Sequence, residues 1–246
     1  MLDSIKPLFY SPDPLLLIVW ATLYFLVIYA GTSTLVWILA GFVNRPIDPR
    51  PFSRGQIISE IFTSLRSVLL FGLGMIAPWA MIRFGWVHFA SENGYLRVIT
   101  EVIVLILWND LHFYLMHRLL HKYLKRLHAP HHKSFVATPF SSYSMSMGEA
   151  LILGSVMPLA MLIHDFSIIS LFLLPIWSIT INTLAHSNCA FFPRTLEKTW
   201  MDFIHHHQAH HSRYHGNYSF FFGQLDKWLG SDQSSMDSAS VNKGHA

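Results

Sequence analysis

Two HxxHH triplets dominate the chemistry this sequence could do. His128, His131 and His132 form one in "HAPHH", and His207, His210 and His211 form the other in "HHQAHH". On a helix, residues three and four apart share a face, so each triplet aims its imidazoles one way. His117 and His121 add an i, i+4 pair in "HRLLH". Neutral imidazole is the commonest side-chain metal ligand, and burying so many rings without a ligand would leave ring nitrogens unsatisfied. The spacing therefore predicts a metal site. Eight nitrogens exceed the four of a structural zinc site, and two metals with four or five imidazoles each is the simplest arithmetic. Imidazole suits iron, zinc, copper and nickel alike. No HExxH is present, and the Glu-x-x-His pattern of soluble di-iron bundles is missing. The isolated His88, His164 and His245 read as ordinary hydrogen-bonded histidines.

The elements that must position these rings belong to a membrane. Hydrophobic residues make up 52% of the chain and charged ones 13%, against roughly 25% charged in a soluble domain. Pro14 to Asn44 carries no charge, and about twenty such residues span a bilayer as a helix. A second apolar run, Ser67 to Ile82, continues past Arg83. A third helix starts near Arg97 and ends in the first histidines. Ala150 to Ile163 and Phe166 to Ala185 read as a hairpin that dips into the membrane and returns. The expectation is an all-α integral membrane protein with four to five transmembrane helices. Arg45, Arg50, Arg54 and Arg66 mark the cytoplasmic side, which puts the histidine-rich cap there. Pro130 cannot continue a helix cleanly, so the first two histidine sets are expected on separate pieces bent toward each other. Residues 1–230 read as one membrane-embedded domain with a histidine-box core at about 97–230, and 231–246 as a disordered polar tail. The net charge of +3 reads as membrane-flanking rather than as a nucleic-acid surface. The single Cys189 excludes an internal disulfide and a thiolate cluster. The ending "KGHA" offers no retrieval signal, favouring a bacterial inner membrane over the endoplasmic reticulum.

"DLHFYLMHRLLH", "HAPHH" and "HHQAHH" followed by "NYSFFFGQLD", with "TPF" and "AHSN" between them, resemble the fatty acid hydroxylase/sterol desaturase superfamily of membrane-bound di-iron oxygenases. The resemblance covers roughly Gln56 to Gly230 and is closest to the sterol C-5 desaturase-like branch. It implies two irons, with zinc as a substitute in purified protein, held by His117, His121, His128, His131, His132, His207, His210 and His211. His186 falls where the family places a further ligand, and His206 matches an extra histidine of the sterol C-5 branch. The departures are Ser146 where a histidine is frequent, Ser219 after Asn217 and Tyr218 in place of glycine, and Leu225 before Asp226 in place of tryptophan. They leave the lipid open among sterol, fatty acyl and related classes.

Asp110 shares a helical face with His117 and could orient an imidazole by accepting its second N–H; pairing with Arg118 or Lys122 is the alternative. Asn182 shares a face with His186 and reads as a polar group in a helix interface, or else as an amide ligand. His112 lies about 140° around the helix from His117, off the ligand stripe, and His215 is left open. Breaking an unactivated C–H bond needs metal and O2, so the resemblance implies hydroxylation or desaturation of a membrane lipid. The sequence has neither GxGxxG nor CxxCH, and an external electron donor (cytochrome b5, a ferredoxin or a reductase) is implied. The alternative is a histidine-rich membrane metal transporter or metal-binding protein. Transport would favour ionisable groups along the midplane, whereas these boxes gather at one basic face.

Overall fold

The structure, a computed structural model, describes residues 6–196 and 199–233, and among them it is helical with no strand. A short α1 (Lys6–Tyr10) precedes α2 (Leu15–Val43), which fills the charge-free run. Leu16, Trp20, Val27 and Phe42 of α2 face outward, and a helix apolar on so much exposed surface requires a bilayer around it.

The second span begins well before the apolar run. α3 (Arg54–Gly74) continues into α4 (Ile76–Arg83), 30 residues in all. Ser53 caps α3 by accepting the Gln56 N–H. Its first turns are mostly exposed, and Glu60 turns inward onto protein. Glu60, buried there, accepts hydrogen bonds from Gln56, Ser134 and Thr138.

α5 (Tyr95–Tyr123) ends at Leu124, earlier than Pro130, and a single turn, α6 (Lys125–His128), follows. A 3-10 turn at His131–Lys133 makes the second bend. The histidine pair and the first triplet thus lie on separate pieces, as expected, with Leu124 sharing the work assigned to Pro130. The hairpin is α7 (Met147–Gly154), α8 (Val156–Met161) and α9 (Ile168–Ala185). Among the described residues four helices are long and apolar enough to cross a membrane, and the broken α7–α8 unit is too short. The protein is a multi-pass membrane protein. α10 (Phe203–Arg213) carries the last triplet, and α11 (Gln224–Trp228) follows.

α2 and α9 finish at the same end of the bundle, where Ile47 N–H donates to the Asn188 carbonyl and Ala190 N–H to that of Arg45. The Gln56 side chain, on the first turn of α3, reaches Val136 at this end. At the other end Arg97 donates to the Asp165 carbonyl and to Glu101. Ser231, Asp232 and Gln233, assigned by composition to a disordered tail, are instead buried. Ser231 bonds Tyr114 and Asp226, and the Gln233 N–H donates to Asn217. Residues 234–246, with His245, lie outside the described residues.

Candidate metal centre

Nine imidazoles converge where α5, α6, α9 and α10 meet. One ring nitrogen from each of His117, His121, His128, His132 and His210 lies within 4.8 Å of the others in that group, and His131, His186, His207 and His211 form a second group by the same measure. All nine rings are buried. The groups abut, with the His132 and His211 ring centroids 4.9 Å apart. Each HxxHH triplet is split between them. The 3-10 turn swings His131 away from His128 and His132. On α10, His210 and His211 differ by about 100° around the helix, so that helix feeds both groups.

Backbone carbonyls set the tautomers. The Nδ1 atoms of His117, His131, His186, His210 and His211 face the carbonyls of Tyr218, Ser144, Asn182, Gly216 and Ser134, at 2.9, 3.3, 2.8, 2.7 and 3.1 Å. A carbonyl only accepts, so each of these Nδ1 atoms carries the proton and each Nε2 presents a lone pair. The Nε2 of His186 stands 3.2 Å from that of His131 and 3.2 Å from that of His211. Three lone pairs therefore face one another with no proton between them. Protonation does not supply one, because burial lowers the pKa of His131 to about 4. Burial and neighbouring imidazoles hold His186 and His211 well below the usual histidine range.

A cation is what such a set lacks. A metal about 2.1 Å from each nitrogen separates neighbouring ligands by about 3.0 Å at a right angle and about 3.4 Å at the tetrahedral angle. Nε2 separations of 3.1 and 3.2 Å recur in both groups. The donor set fits one ion in each.

Several polar residues hold the rings without joining them. Glu149, three residues beyond the α7 cap Ser146, bonds His128 Nδ1 at 2.7 Å. Tyr214, Gly216 and Asn217 all have positive φ, of 65°, 69° and 53°. This left-handed turn folds the chain back after α10 and delivers the Gly216 and Tyr218 carbonyls to His210 and His117. Gly216 takes the conformation at no steric cost. Asp226 fastens the same turn. Its oxygens accept from the N–H groups of Tyr218 and Ser219 (both 2.8 Å), from the Ser231 hydroxyl and from His206.

Asp110 does not orient an imidazole. Its Oδ1 accepts the N–H groups of Phe221 and Phe222, at 2.7 and 3.2 Å, and so ties α5 to the stretch after the turn. Seven residues from His117 on a regular helix bring Asp110 near the same face but two turns below the metal groups, opposite backbone. His206 pairs with Asp226 and joins neither group. His112 bonds Ser155 at 3.1 Å, off the stripe as the helical angle requires, and His215 bonds the Arg213 carbonyl. Asn182 donates to the Ser142 carbonyl, a helix-interface contact. Of the holding residues, Glu149 had a sequence signal, since a carboxylate three residues after a capping serine marks a helix start. Glu60 and the carbonyls had none.

Fold and site together define a multi-pass helical membrane protein with a paired, all-imidazole centre. A model of the fatty acid hydroxylase family matches residues 102–231, more than half of the chain. The chain belongs to that family. It is similar to the Delta(7)-sterol 5(6)-desaturase of Candida glabrata, 27% identical over 89% of this chain and 61% of that protein. It is also similar to the lathosterol oxidases of Mus musculus, 24% identical over 73% of this chain and 62% of the relative, and of Homo sapiens, 29% identical over 56% and 46%. The chain thus spans about three fifths of the first two relatives. No solved structure matches. These relatives are eukaryotic, so the expected bacterial location draws no support from them.

Proposed function

We propose that the chain is an O2-dependent non-haem di-iron oxidoreductase that hydroxylates or desaturates a membrane lipid. The nine ligands would be His117, His121, His128, His132 and His210 for one ion and His131, His186, His207 and His211 for the other. The carrying observation is the convergence of nine ring nitrogens into two groups, with three Nε2 lone pairs facing one another in the second, in a member of the fatty acid hydroxylase family. Two bound irons would supply the O2 and electron chemistry needed at an unactivated C–H bond, which side chains lack. The chain's own residues hold, orient and insulate. Five backbone carbonyls and Glu149 keep ligand nitrogens deprotonated and aimed. Phe113 packs 5.0 Å from the His117 ring and 4.6 Å from that of Phe220, beside the first metal group.

The exposed Arg45, Arg54, Lys122, Lys125 and Arg126 at the histidine end support a cytoplasmic orientation. Electrons would enter there from an external donor such as a cytochrome b5, a ferredoxin or a reductase. Residues 1–230 would act as one domain, since α2, α3, α5, α7 and α9 pack on one another. Family membership favours this reading over metal transport.

The test is elemental analysis of detergent-purified protein beside His207→Ala and His210→Ala, followed by mass spectrometry of host lipids. Two irons per chain, reduced in the variants, with lipids gaining one oxygen or losing two hydrogens, would support the proposal. Zinc would call for reconstitution with iron. Metal content unchanged by both substitutions would sink it.

A further inference from the structure

The segment that follows α10 lies lower on the bundle than the ligands it serves. Arg97, near the start of α5, donates to Glu101 and to the Asp165 carbonyl at the end opposite the histidines. A hydrocarbon core about 30 Å thick takes about twenty helical residues at about 1.5 Å each, and twenty residues on from Arg97 stands His117. α9 gives the same measure, with 18 residues between the loop that Arg97 holds and His186. The hydrocarbon boundary on the histidine side therefore falls close to the level of His117 and His186.

The chain after the left-handed turn comes back to that boundary. Asp110 holds the Phe221 N–H, the Phe221 ring lies 5.1 Å from that of Trp177 on α9, and the Ser231 hydroxyl lies 2.9 Å from that of Tyr114. Asp110 and Tyr114 precede His117 by seven and three residues, about 10 and 4.5 Å along α5. Residues 221–231 are thus pinned at both ends beside the boundary rather than above it in water.

α11 lies between those pins. Its inward residue, Asp226, is buried, whereas Trp228 is 73% and Leu229 48% exposed. Full burial of one large apolar side chain is worth about 1.5–3 kcal/mol, so leaving both in water beside a lipid boundary would forgo a large gain. Lipid-facing surface runs up to them. Leu107 and Leu111 of α5 are exposed, and both stand within about 60° of Tyr114 around the helix, below its contact with Ser231. Arg118, exposed one turn above Tyr114, donates to the Tyr114 hydroxyl, and Lys227 is exposed beside Trp228. Apolar side chains at the boundary with cations just above them suit a segment resting in a membrane surface.

We propose that α11 is a foot seated in the bilayer surface on the histidine side, with Trp228 and Leu229 at the headgroup–acyl boundary and Lys227 and Arg118 reaching lipid phosphates. Tryptophan suits that depth, since its ring is apolar and its N–H finds a polar partner there. Lysine and arginine keep their stems on apolar surface and their charges among the headgroups. The seat bears on the metal centre through one residue. Asp226, about 200° around the helix from Trp228, holds the N–H groups of Tyr218 and Ser219, and the Tyr218 carbonyl faces His117 Nδ1. Lipid thus steadies from outside the helix whose inner face fastens the turn to His117. Neither the seat nor its test depends on a bound metal or on oxidation of a lipid.

The experiment attaches an NBD fluorophore to Trp228→Cys and, separately, to Leu229→Cys of the full chain in phosphatidylcholine nanodiscs. Leu107→Cys marks the hydrocarbon, and Arg126→Cys, exposed on α6, marks water. Cys189 is buried, and wild type carried through the same labelling supplies the background. Quenching is measured with iodide in water and with phosphatidylcholine bearing a nitroxide either on the headgroup or at the foot of the acyl chain. Both α11 positions are expected to lose most of the iodide quenching seen at position 126. The headgroup nitroxide should quench them more than the chain-foot one, the reverse of position 107. Iodide quenching equal to that at position 126 would place α11 in water and overturn the proposal. Protection from iodide and from both nitroxides would show protein covering the patch, a second copy included, and would overturn it equally. Stronger quenching from the foot of the chain would put the segment in the core, away from the phosphates, and would sink it too. Each position is read alone, so a variant that does not fold leaves the other to decide.

Discussion

Asp226→Asn should loosen the metal centre from a distance. Asp226 is fully buried, at 0% exposure. Its Oδ1 accepts from the Tyr218 N–H and the Ser231 hydroxyl, and its Oδ2 from the Ser219 N–H, the Ser219 hydroxyl and His206. Asparagine keeps the shape but turns one oxygen into an NH2. If the Oδ1 position stays oxygen, the NH2 confronts the Ser219 N–H. If the Oδ2 position stays oxygen, it confronts that of Tyr218. Hydroxyls and an imidazole can turn to accept, but a backbone N–H cannot. One buried N–H is orphaned either way, at about 1–3 kcal/mol. At about 2–4 °C per kcal/mol for a chain of this length, the thermal midpoint falls by roughly 2–12 °C. The Tyr218 carbonyl is what orients His117, so a looser turn should weaken metal held by the five-histidine group by about 10–100-fold. Midpoints by fluorescence-detected size exclusion and a chelator titration followed by elemental analysis read both effects. A variant that melts with wild type and resists chelator equally would refute the claim that this carboxylate fastens the turn to His117.

Four further outcomes are expected. Glu149→Ala strands His128 Nδ1 and should weaken one of the two ions by about 10–100-fold, seen as a biphasic chelator titration where wild type gives one phase. His206→Ala should retain full metal content by elemental analysis, because His206 bonds Asp226 and lies in neither group; loss of one metal would make it a ligand. Gly72→Ala should cost about 1–3 kcal/mol of thermal stability, since a Cβ there would overlap Thr22 of α2, while metal content of the folded fraction stays at the wild-type value. Acid should destabilise the metal-free fold steeply. Burial holds His131 near about 4 and His128, His207 and His210 well below the usual range. Between those values and the unperturbed value of about 6.5, the unfolded chain binds protons that the folded rings refuse. Stability therefore falls as pH drops below about 6.5, by about 1.4 kcal/mol per pH unit for each such ring. A thermal midpoint of the metal-free protein that is flat from pH 7 to about 4.5 would contradict this.

Much of the site could be read in the sequence because its signals are local. HxxHH and HxxxH spacing brings imidazoles onto one stretch of helix, and charge-free runs mark membrane spans, both within a few turns of chain. His186, found through family resemblance, sits in the second group. The start of α3 was not readable from hydropathy, because its first turns carry Gln56 and Glu60, whose partners come from the 134–138 loop. Asp110 was misread for a related reason. Helical spacing says which side a carboxylate occupies but not how far above or below it a partner from another segment arrives.

The sequence alone determined the inventory: nine imidazoles, an all-helical membrane scaffold, and bends near Leu124 to Pro130 that separate the first two sets. Only the tertiary structure decided how the rings divide, five and four, with each triplet split. It also decided which nitrogen of five of the rings faces the metal groups. The physical reason is that the deciding partners are backbone carbonyls, of Ser134, Ser144, Asn182, Gly216 and Tyr218. Every residue has such a carbonyl, so its identity leaves no mark in the sequence, and only the path of the chain brings it to a particular Nδ1.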